Sequence, residues 1–201
     1  IKHMSRASRK AYYEIALQKN VPLIASHAGV TGLKNEGGAE TISGASKLFV
    51  NEDINFYDDE IIAISKSNGL IGIQLDERRI ASSDVLHHTN FVDITYHWEK
   101  WAYLLWRQVQ HVGDVLDQSE MPAWDITCLG TDFDGLINPI GPYWTAADMA
   151  DMHKHLVAHA KKYLWDKSRK FKLSENKNID PEKLIDKIMG ENAIQFVMRN
   201  Y

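Results

Sequence analysis

Two carboxylates follow directly after an apolar run in the segment CLGTDFDGLINP, residues 128–139. A carboxylate at the end of a buried strand is costly to hold unless it is paired, hydrogen-bonded or bound to a cation. Asp134 comes immediately before Gly135, which is typical of a turn, so we give it a structural role. Asp132 is therefore the carboxylate of this segment that we expect to take part in chemistry.

Two histidines occupy comparable places in the sequence. His27 follows the apolar run VPLIAS (21–26), and His3 would stand at a strand end if a strand precedes Ile1. In parallel α/β folds, functional groups gather at the carboxyl ends of the strands. Two imidazoles and a carboxylate with an open fourth position form a catalytic zinc arrangement. We therefore predict that His3, His27 and Asp132 bind one or two divalent metal ions, with zinc as the expected metal.

Structural roles explain the other acidic residues and histidines. Asp76 and Glu77 follow the second apolar run but precede Arg78 and Arg79, a pattern that predicts an ion-pair cluster. The remaining histidines lack the His-Glu-x-x-His pattern of zinc proteases and are assigned to exposed helix faces: His87, His88, His97, His111, His153, His155 and His159. Purely structural roles also stay open at the candidate site. A histidine at a strand end can simply be hydrogen-bonded, and Asp132 can cap the following turn.

The elements that must position these residues follow from hydrophobic periodicity. Apolar residues at three- and four-residue steps predict helices over 5–19, 58–67, 97–116, 145–163 and 180–197. Ser5 and Asp180 are expected N-caps, and Thr145 with Asp148 forms a capping box. Three wholly apolar runs predict strands buried on both faces of a parallel sheet: 21–26, 70–75 and 125–132.

This alternation predicts an α/β fold in which residues 1–201 form a single domain, part of a barrel or of an open sheet. The segment 28–57 holds five glycines without clear periodicity, which predicts a loop that is either functional or mobile. Its position directly after His27 makes it a candidate lid.

The composition limits the classes of partner. The chain has 201 residues, of which 44% are hydrophobic and 25% are charged, as expected for one globular domain. A formal net charge of −4 without a basic stripe argues against a nucleic-acid partner. No apolar stretch is long enough to span a bilayer, and no signal-peptide pattern is present. A targeting segment would lie outside this chain, so the compartment stays open, with the cytoplasm slightly favoured. The single cysteine, Cys128, excludes an internal disulfide and is expected to be a packed thiol.

Taken together, these segments resemble the membrane (renal) dipeptidase family, metallopeptidases of the amidohydrolase superfamily. PLIASHAGV is similar to that family's sixth strand, LGTDFDG to its eighth-strand signature, and KIMGENAIQFV to its closing helix. IKHMSRASRKAYYEIA resembles the fifth-strand segment, which favours His3 as a native residue. The resemblance spans nearly the whole chain. It implies the C-terminal half of a (β/α)8 TIM-type barrel, from strands five and six to strand eight with the closing helices.

The resemblance also implies roles for the candidate residues. His3 and His27 would be ligands of the second metal of a binuclear zinc site, and Asp132 would handle the proton of the attacking water. The implied function of the intact parent protein is zinc-dependent hydrolysis of peptide or amide bonds in a small substrate, with this segment alone inactive. The family's arginine for the substrate carboxylate corresponds to Ile54, so the clamp for a free carboxylate is absent at that position.

Two other functions stay open. A non-catalytic half-barrel that pairs with a partner chain or with a second copy is one, because open sheet edges invite pairing. The other is a dehalogenase-like phosphatase with Asp132 as its nucleophile. This second alternative is disfavoured because Gly130 and Thr131 interrupt the apolar run before the acid.

Overall fold

The computed structural model describes residues 1–41, 44–90 and 97–201. Within these ranges, helices alternate with three short strands: α1 (Arg6–Gln18), β1 (Ile24–Ala28), α2 (Ala45–Leu48), α3 (Asp58–Lys66), β2 (Leu70–Ile73), α4 (Glu77–Ile80), α5 (Ser83–Asn90), α6 (His97–Gln118), β3 (Thr127–Leu129), α7 (Met149–Leu164), α8 (Ser174–Lys177), α9 (Pro181–Asp186) and α10 (Asn192–Asn200). A short 3-10 turn, Ala146–Asp148, precedes α7, and a π-helical turn, Lys187–Glu191, joins α9 to α10.

The three strands form one parallel sheet in the order β1-β2-β3. The predicted α/β class with a parallel sheet is therefore confirmed, in the form of a small sheet surrounded by many helices. The predicted bounds were too wide for β2 and β3, whereas β1 both begins and ends later than predicted. Pro22 has no N–H group, and the N–H of Leu23 donates to the Ser67 hydroxyl at 3.0 Å, so β1 begins only at Ile24.

The larger hydrophobic core lies between one face of the sheet and a layer of helices that includes α3, α6 and α7. Ile71 and Ile73 of β2 are completely buried in it. Each such isoleucine stabilises the fold by roughly 1.5–3 kcal/mol relative to an exposed side chain. From α6, the ring of Trp106 stacks on that of Trp124 at 6.5 Å between centroids. The amphipathic pattern of 97–116 thus predicted the helix that covers the sheet.

The opposite face of the sheet carries a smaller apolar cluster. Ile24, Leu70 and Cys128 contact Phe196 of α10 there. The last helix therefore covers the beginning of the strands on the side away from the main core. Both faces of the sheet are covered at this end, as the apolar composition of the strands predicted.

Two glycines let the strands approach closely near the carboxyl end of the sheet. A Cβ atom on Gly72 or Gly130 would lie 2.2 or 2.0 Å from the carbonyl oxygen of Ser26. This carbonyl projects across the sheet because β1 contains a bulge between Ala25 and Ala28. Glycine is therefore required at both positions by the close approach of the backbone.

A buried ionic network joins α1 to α3. The carboxylate of Glu60 is 2.7 Å from Nε of Arg9 and 2.5 Å from Nη1 of Arg6, and it accepts a hydrogen bond from the Tyr13 hydroxyl at 2.8 Å. Glu60 and Arg9 are almost completely buried, with 1% and 0% of their side chains exposed. Burial, and then the charge of Glu60, raise the pKa of Tyr13, which keeps its hydroxyl as a donor.

The predicted helix ends are confirmed where side chains cap them. The Ser5 hydroxyl accepts from the N–H of Ser8, and Asp180 caps α9. Thr145 and Asp148 form the predicted capping box, although the first turn is 3-10 rather than α-helical. The single final helix predicted over 180–197 is instead divided into α9, the π-helical turn and α10.

The segment 28–57 is more ordered than predicted. Helix α2 lies within it, and Val30 and Phe56 form an isolated parallel bridge. The side chain of Gln108 accepts from the N–H of Val30 at 2.7 Å and donates to the carbonyl of Ile80 at 2.6 Å. This buried amide of α6 ties the chain after β1 to α4. The role of the segment as a lid stays a prediction.

Two histidines assigned to exposed helix faces are buried, and that assignment was wrong. His111 is 1% exposed and lies 2.7 Å from a carboxylate oxygen at the start of α3. His159 is 7% exposed and contacts a backbone carbonyl of α6 at 2.9 Å, and its burial lowers its pKa. Each buried imidazole has a hydrogen-bond partner inside the core, which offsets the cost of its burial. The hydrophobic periodicity of the sequence does not reveal such partners. The side chains of His88 and His97 lie outside the described part.

The structure also bears on the predictions for Cys128, for the other histidines and for membrane spans. Cys128 is buried as predicted, and burial raises the pKa of its thiol to about 12. His87 is exposed, whereas His153 and His155 are half-buried. No helix in the described part of the chain combines the length and the apolar character needed to cross a membrane.

Candidate metal site

The side chains of His3 and His27 lie against each other near the carboxyl end of β1. Their Nε2 atoms are 3.1 Å apart, and their ring planes are tilted by 53°. Two imidazole nitrogens bound to one tetrahedral zinc ion lie about 3.3 Å apart, given the usual Zn–N bond length. The two histidines are thus already spaced as two ligands of a single ion. In the absence of a metal, the same contact is an N–H···N hydrogen bond.

His27 lies inside β1, not directly after the strand as predicted. The bulge in β1 turns its half-buried imidazole toward the mouth formed by the strand ends. Nδ1 of His27 is 3.0 Å from the hydroxyl oxygen of Ser26. A hydrogen bond at Nδ1 fixes the orientation of the ring and leaves Nε2 to face His3.

His3 lies on a turn before α1 rather than at the end of a strand. The N–H of Met4 donates to the carbonyl of Ile1 at 3.2 Å and closes this turn. Nη1 of Arg9 donates to the carbonyl of Met4 at 3.1 Å. The ionic network between α1 and α3 therefore also holds the backbone next to His3.

Asp132 follows β3 and adopts a left-handed backbone conformation, with φ 59°. Such a conformation is strained for a residue other than glycine and persists only where the surroundings impose it. Oδ2 of Asp132 accepts a hydrogen bond from Nε2 of Gln74 at 2.8 Å. A Cβ on Gly135 would lie 2.6 Å from Oδ1, so only glycine leaves room for the carboxylate. The surroundings thus hold this carboxylate in a defined position.

Asp132 also acts on the imidazole of His27 through its charge. Burial lowers the pKa of His27, and the negative charge of Asp132 partly opposes this effect. Burial, and then two nearby arginines, lower the pKa of Lys2 to about 8, while Asp132 and Asp76 raise it. The ends of β1, β2 and β3 therefore contribute to one electrostatic environment.

The structure brings together two of the three predicted metal ligands. No three His, Cys, Asp or Glu side chains converge as a metal-binding group within residues 1–41, 44–90 and 97–201. His3 and His27 fit zinc in donor type and spacing and supply two of its four usual positions. Asp132 interacts with Gln74 instead, so its role as a direct ligand stays a prediction.

Sequence reasoning missed two polar residues of this site. Gln74 is 5% exposed and orients Asp132, and it is the one polar residue in the run LIGIQL. That interruption of an apolar strand was the signal that could have identified it. Lys2 is 3% exposed and donates to the carbonyl of Ile54 at 3.2 Å. No motif pointed to Lys2, because a lysine beside a histidine has no characteristic spacing.

The predicted ion-pair cluster at the rim is confirmed in part, because Arg79 pairs with Glu52 and not with Glu77. Arg78 contacts Asp76 through two hydrogen bonds at 2.9 and 2.7 Å, and Arg79 contacts Glu52 at 2.6 Å. Asp134 is exposed in the turn after β3, in agreement with its structural role.

The chain was compared with protein-family models, with curated protein sequences and with solved structures, and none of them matches. The function is therefore inferred from the residues themselves and from their geometry. The pair formed by His3 and His27 and the oriented carboxylate of Asp132 are the features from which that inference starts.

Proposed function

We propose that the complete protein containing this chain is a zinc-dependent hydrolase of peptide or amide bonds, similar to the dipeptidases. The observation that carries this proposal is the 3.1 Å separation between the Nε2 atoms of His3 and His27. Paired imidazoles at the end of a parallel strand, with a carboxylate at the end of another, suit the chemistry of catalytic zinc.

Each residue has a distinct role in this proposal. His3 and His27 would hold the metal, and the Ser26 hydroxyl would keep the ring of His27 in place. A bound zinc ion lowers the pKa of water and polarises a carbonyl group. Asp132, oriented by Gln74, would accept the proton of the attacking water and deliver it to the leaving amine.

The chain in this proposal is the C-terminal half of a (β/α)8 barrel. Two histidines leave two positions of a four-coordinate zinc for ligands from elsewhere. The family resemblance implies such ligands on the first four strands of the barrel. The parallel order of β1, β2 and β3 with intervening helices is compatible with this half. The chain alone is then expected to be inactive.

Removal of the metal tests the proposed function. We expect the complete protein to release amines from a panel of dipeptides and N-acylated amino acids. A chelator should abolish this activity and added zinc should restore it, because water is a poor nucleophile at neutral pH without a Lewis acid. Amine release is measured against elemental analysis of the same samples. Unchanged hydrolysis by a protein shown to be free of metal would contradict the proposal.

The alternative of a non-catalytic pairing module rests on a different observation. Ile194, Val197 and Met198 of α10 are 59%, 55% and 72% exposed and share one face of that helix. Apolar residues exposed at this spacing are common at helix interfaces. Sizing together with zinc analysis separates the two functions. A stable dimer without bound zinc would favour the pairing module.

A further inference from the structure

A groove of about 520 Å³ lies between the segment after β3 and the start of α4. Its walls are mainly apolar and aromatic, and they include Trp101, Trp144, Ile137 and Pro139. Trp144 is 64% exposed, although an indole ring of this size gains from burial. An exposed aromatic ring at the edge of a concave apolar surface is typical of a ligand-binding site.

The aromatic walls are held in place by the backbone between them. Gly141 has φ 44°, and a Cβ on it would lie 2.3 Å from ring atoms of Trp101. Only glycine lets the chain lie directly on that indole ring. The indole N–H of Trp144 donates to the carbonyl of Gly141. Both rings are therefore fixed before any ligand binds, which lowers the entropic cost of binding.

One carboxylate lines this apolar groove. Glu77 is half-buried, and its N–H donates to the carbonyl of Asn138 at 2.9 Å. The two arginines next to it in sequence pair with other carboxylates, Arg78 with Asp76 and Arg79 with Glu52. No Lys, Arg or His is found among the described residues that line the groove. The carboxylate of Glu77 accepts a hydrogen bond from the side chain of Asn138, which also lines the groove. Glu77 is thus the one charged side chain among the described residues that line it.

The groove is close to the candidate metal site in sequence and in space. Glu77 follows Gln74 by three residues, and Gln74 donates to Asp132. On the opposite wall, Pro139 forms an isolated bridge with Asp76. The groove and the Asp132 carboxylate are therefore both connected to the residues that follow β2.

From this geometry we infer that the groove binds a primary ammonium group attached to an aromatic or branched aliphatic side chain. The Glu77 carboxylate would pair with the ammonium group, and the indole rings would contact the apolar part and attract the cation. This inference rests on the proposed function in one respect. If the protein is a peptide or amide hydrolase, the molecule bound in the groove is a substrate with a free amino terminus.

The probe for this inference is phenethylamine, with 2-phenylethanol as its neutral analogue. The protein is titrated with each at neutral pH, and the affinity is measured by isothermal titration calorimetry. Phenethylamine should bind more tightly than the alcohol, and Glu77→Gln should weaken its binding by roughly tenfold to a hundredfold. The same variant should leave binding of the alcohol unchanged, and Trp144→Ala should weaken both.

The control variant Glu182→Gln changes an exposed carboxylate at the start of α9, and it should bind both probes like the wild type. His27→Ala should also bind both probes normally, so failure of the metal proposal does not affect this test. Equal affinity for amine and alcohol would overturn the inference. So would unchanged amine binding in a Glu77→Gln variant that unfolds at the wild-type denaturant concentration.

Discussion

Replacement of Asp132 by Asn is expected to lower peptide hydrolysis by the complete protein by roughly 10²–10⁴-fold. Asn has the same shape as Asp but cannot accept the proton of the attacking water at neutral pH. Zinc content should stay close to that of the wild type, because the paired imidazoles of His3 and His27 do not depend on this carboxylate. Turnover and bound zinc are measured on the same preparations.

The matched control is Asp134→Asn, two residues further along the same segment. Asp134 is exposed in the turn and lacks the position that Gln74 and Gly135 give to Asp132. We expect turnover within about twofold of the wild type for this control, as for most exposed substitutions. Equal losses in the two variants would show that Asp132 has no special role. Retained activity in Asp132→Asn would remove it from the mechanism.

Replacement of Glu60 by Gln is expected to lower the free energy of unfolding by about 3–5 kcal/mol. The side chains of Arg6 and Arg9 are 4% and 0% exposed, and both pair with Glu60. Gln leaves the buried Arg9 without a compensating charge and Arg6 with only the exposed Asp59, and desolvation makes the loss of the buried charge costly. The loss is measured by urea unfolding at constant pH, in which the free energy of unfolding is extrapolated linearly to zero denaturant.

Asp59→Asn is the matched control for this prediction. Asp59 also contacts Arg6, at 2.7 Å, but its side chain is 46% exposed. An exposed ion pair contributes little, so we expect a loss of less than about 1 kcal/mol. A similar small loss in Glu60→Gln would mean that water reaches the network and that the ion pairs are effectively exposed.

The sequence was sufficient for the elements whose signal is local. Ser5, Thr145 and Asp180 start helices because each can accept a hydrogen bond from the first free N–H groups. The long stripe of apolar residues in 97–116 identified α6, because its period matches that of an α-helix. The three apolar runs located the strands, although not their ends.

The strand ends depend on partners that are distant in the chain. Leu23 donates to a side chain forty-four positions away instead of to a neighbouring strand. The bulge next to His27 lies where Gly72 and Gly130 approach the backbone of Ser26. Neither contact leaves a periodic pattern in the local sequence, so His27 was placed after β1 rather than within it.

The candidate site was predictable only where its residues stand out in the local sequence. His3, His27 and Asp132 stand out because each follows or interrupts a recognisable segment. Gln74 gives Asp132 its orientation only through a contact between two strands. The buried histidines were predicted to be exposed because their partners are likewise distant in the chain. His111 has the spacing of a surface position, and a partner on α3 makes its burial possible.

The central claim is that His3 and His27 together hold one zinc ion, and direct titration of the complete protein with zinc tests it. A competing chromophoric chelator reports the affinity of wild type, His3→Ala, His27→Ala and the double variant. His153→Ala serves as the control, since His153 pairs with Asp186 away from this site. Loss of one metal ligand should cost more than the roughly 10–100-fold typical of a supporting residue.

The account predicts one zinc ion per chain, with binding reduced by more than about 100-fold in either single variant and no further loss of that site in the double variant. The control should bind like the wild type. Zinc binding that is unchanged in the double variant, or absent from the complete wild-type protein, would contradict the account.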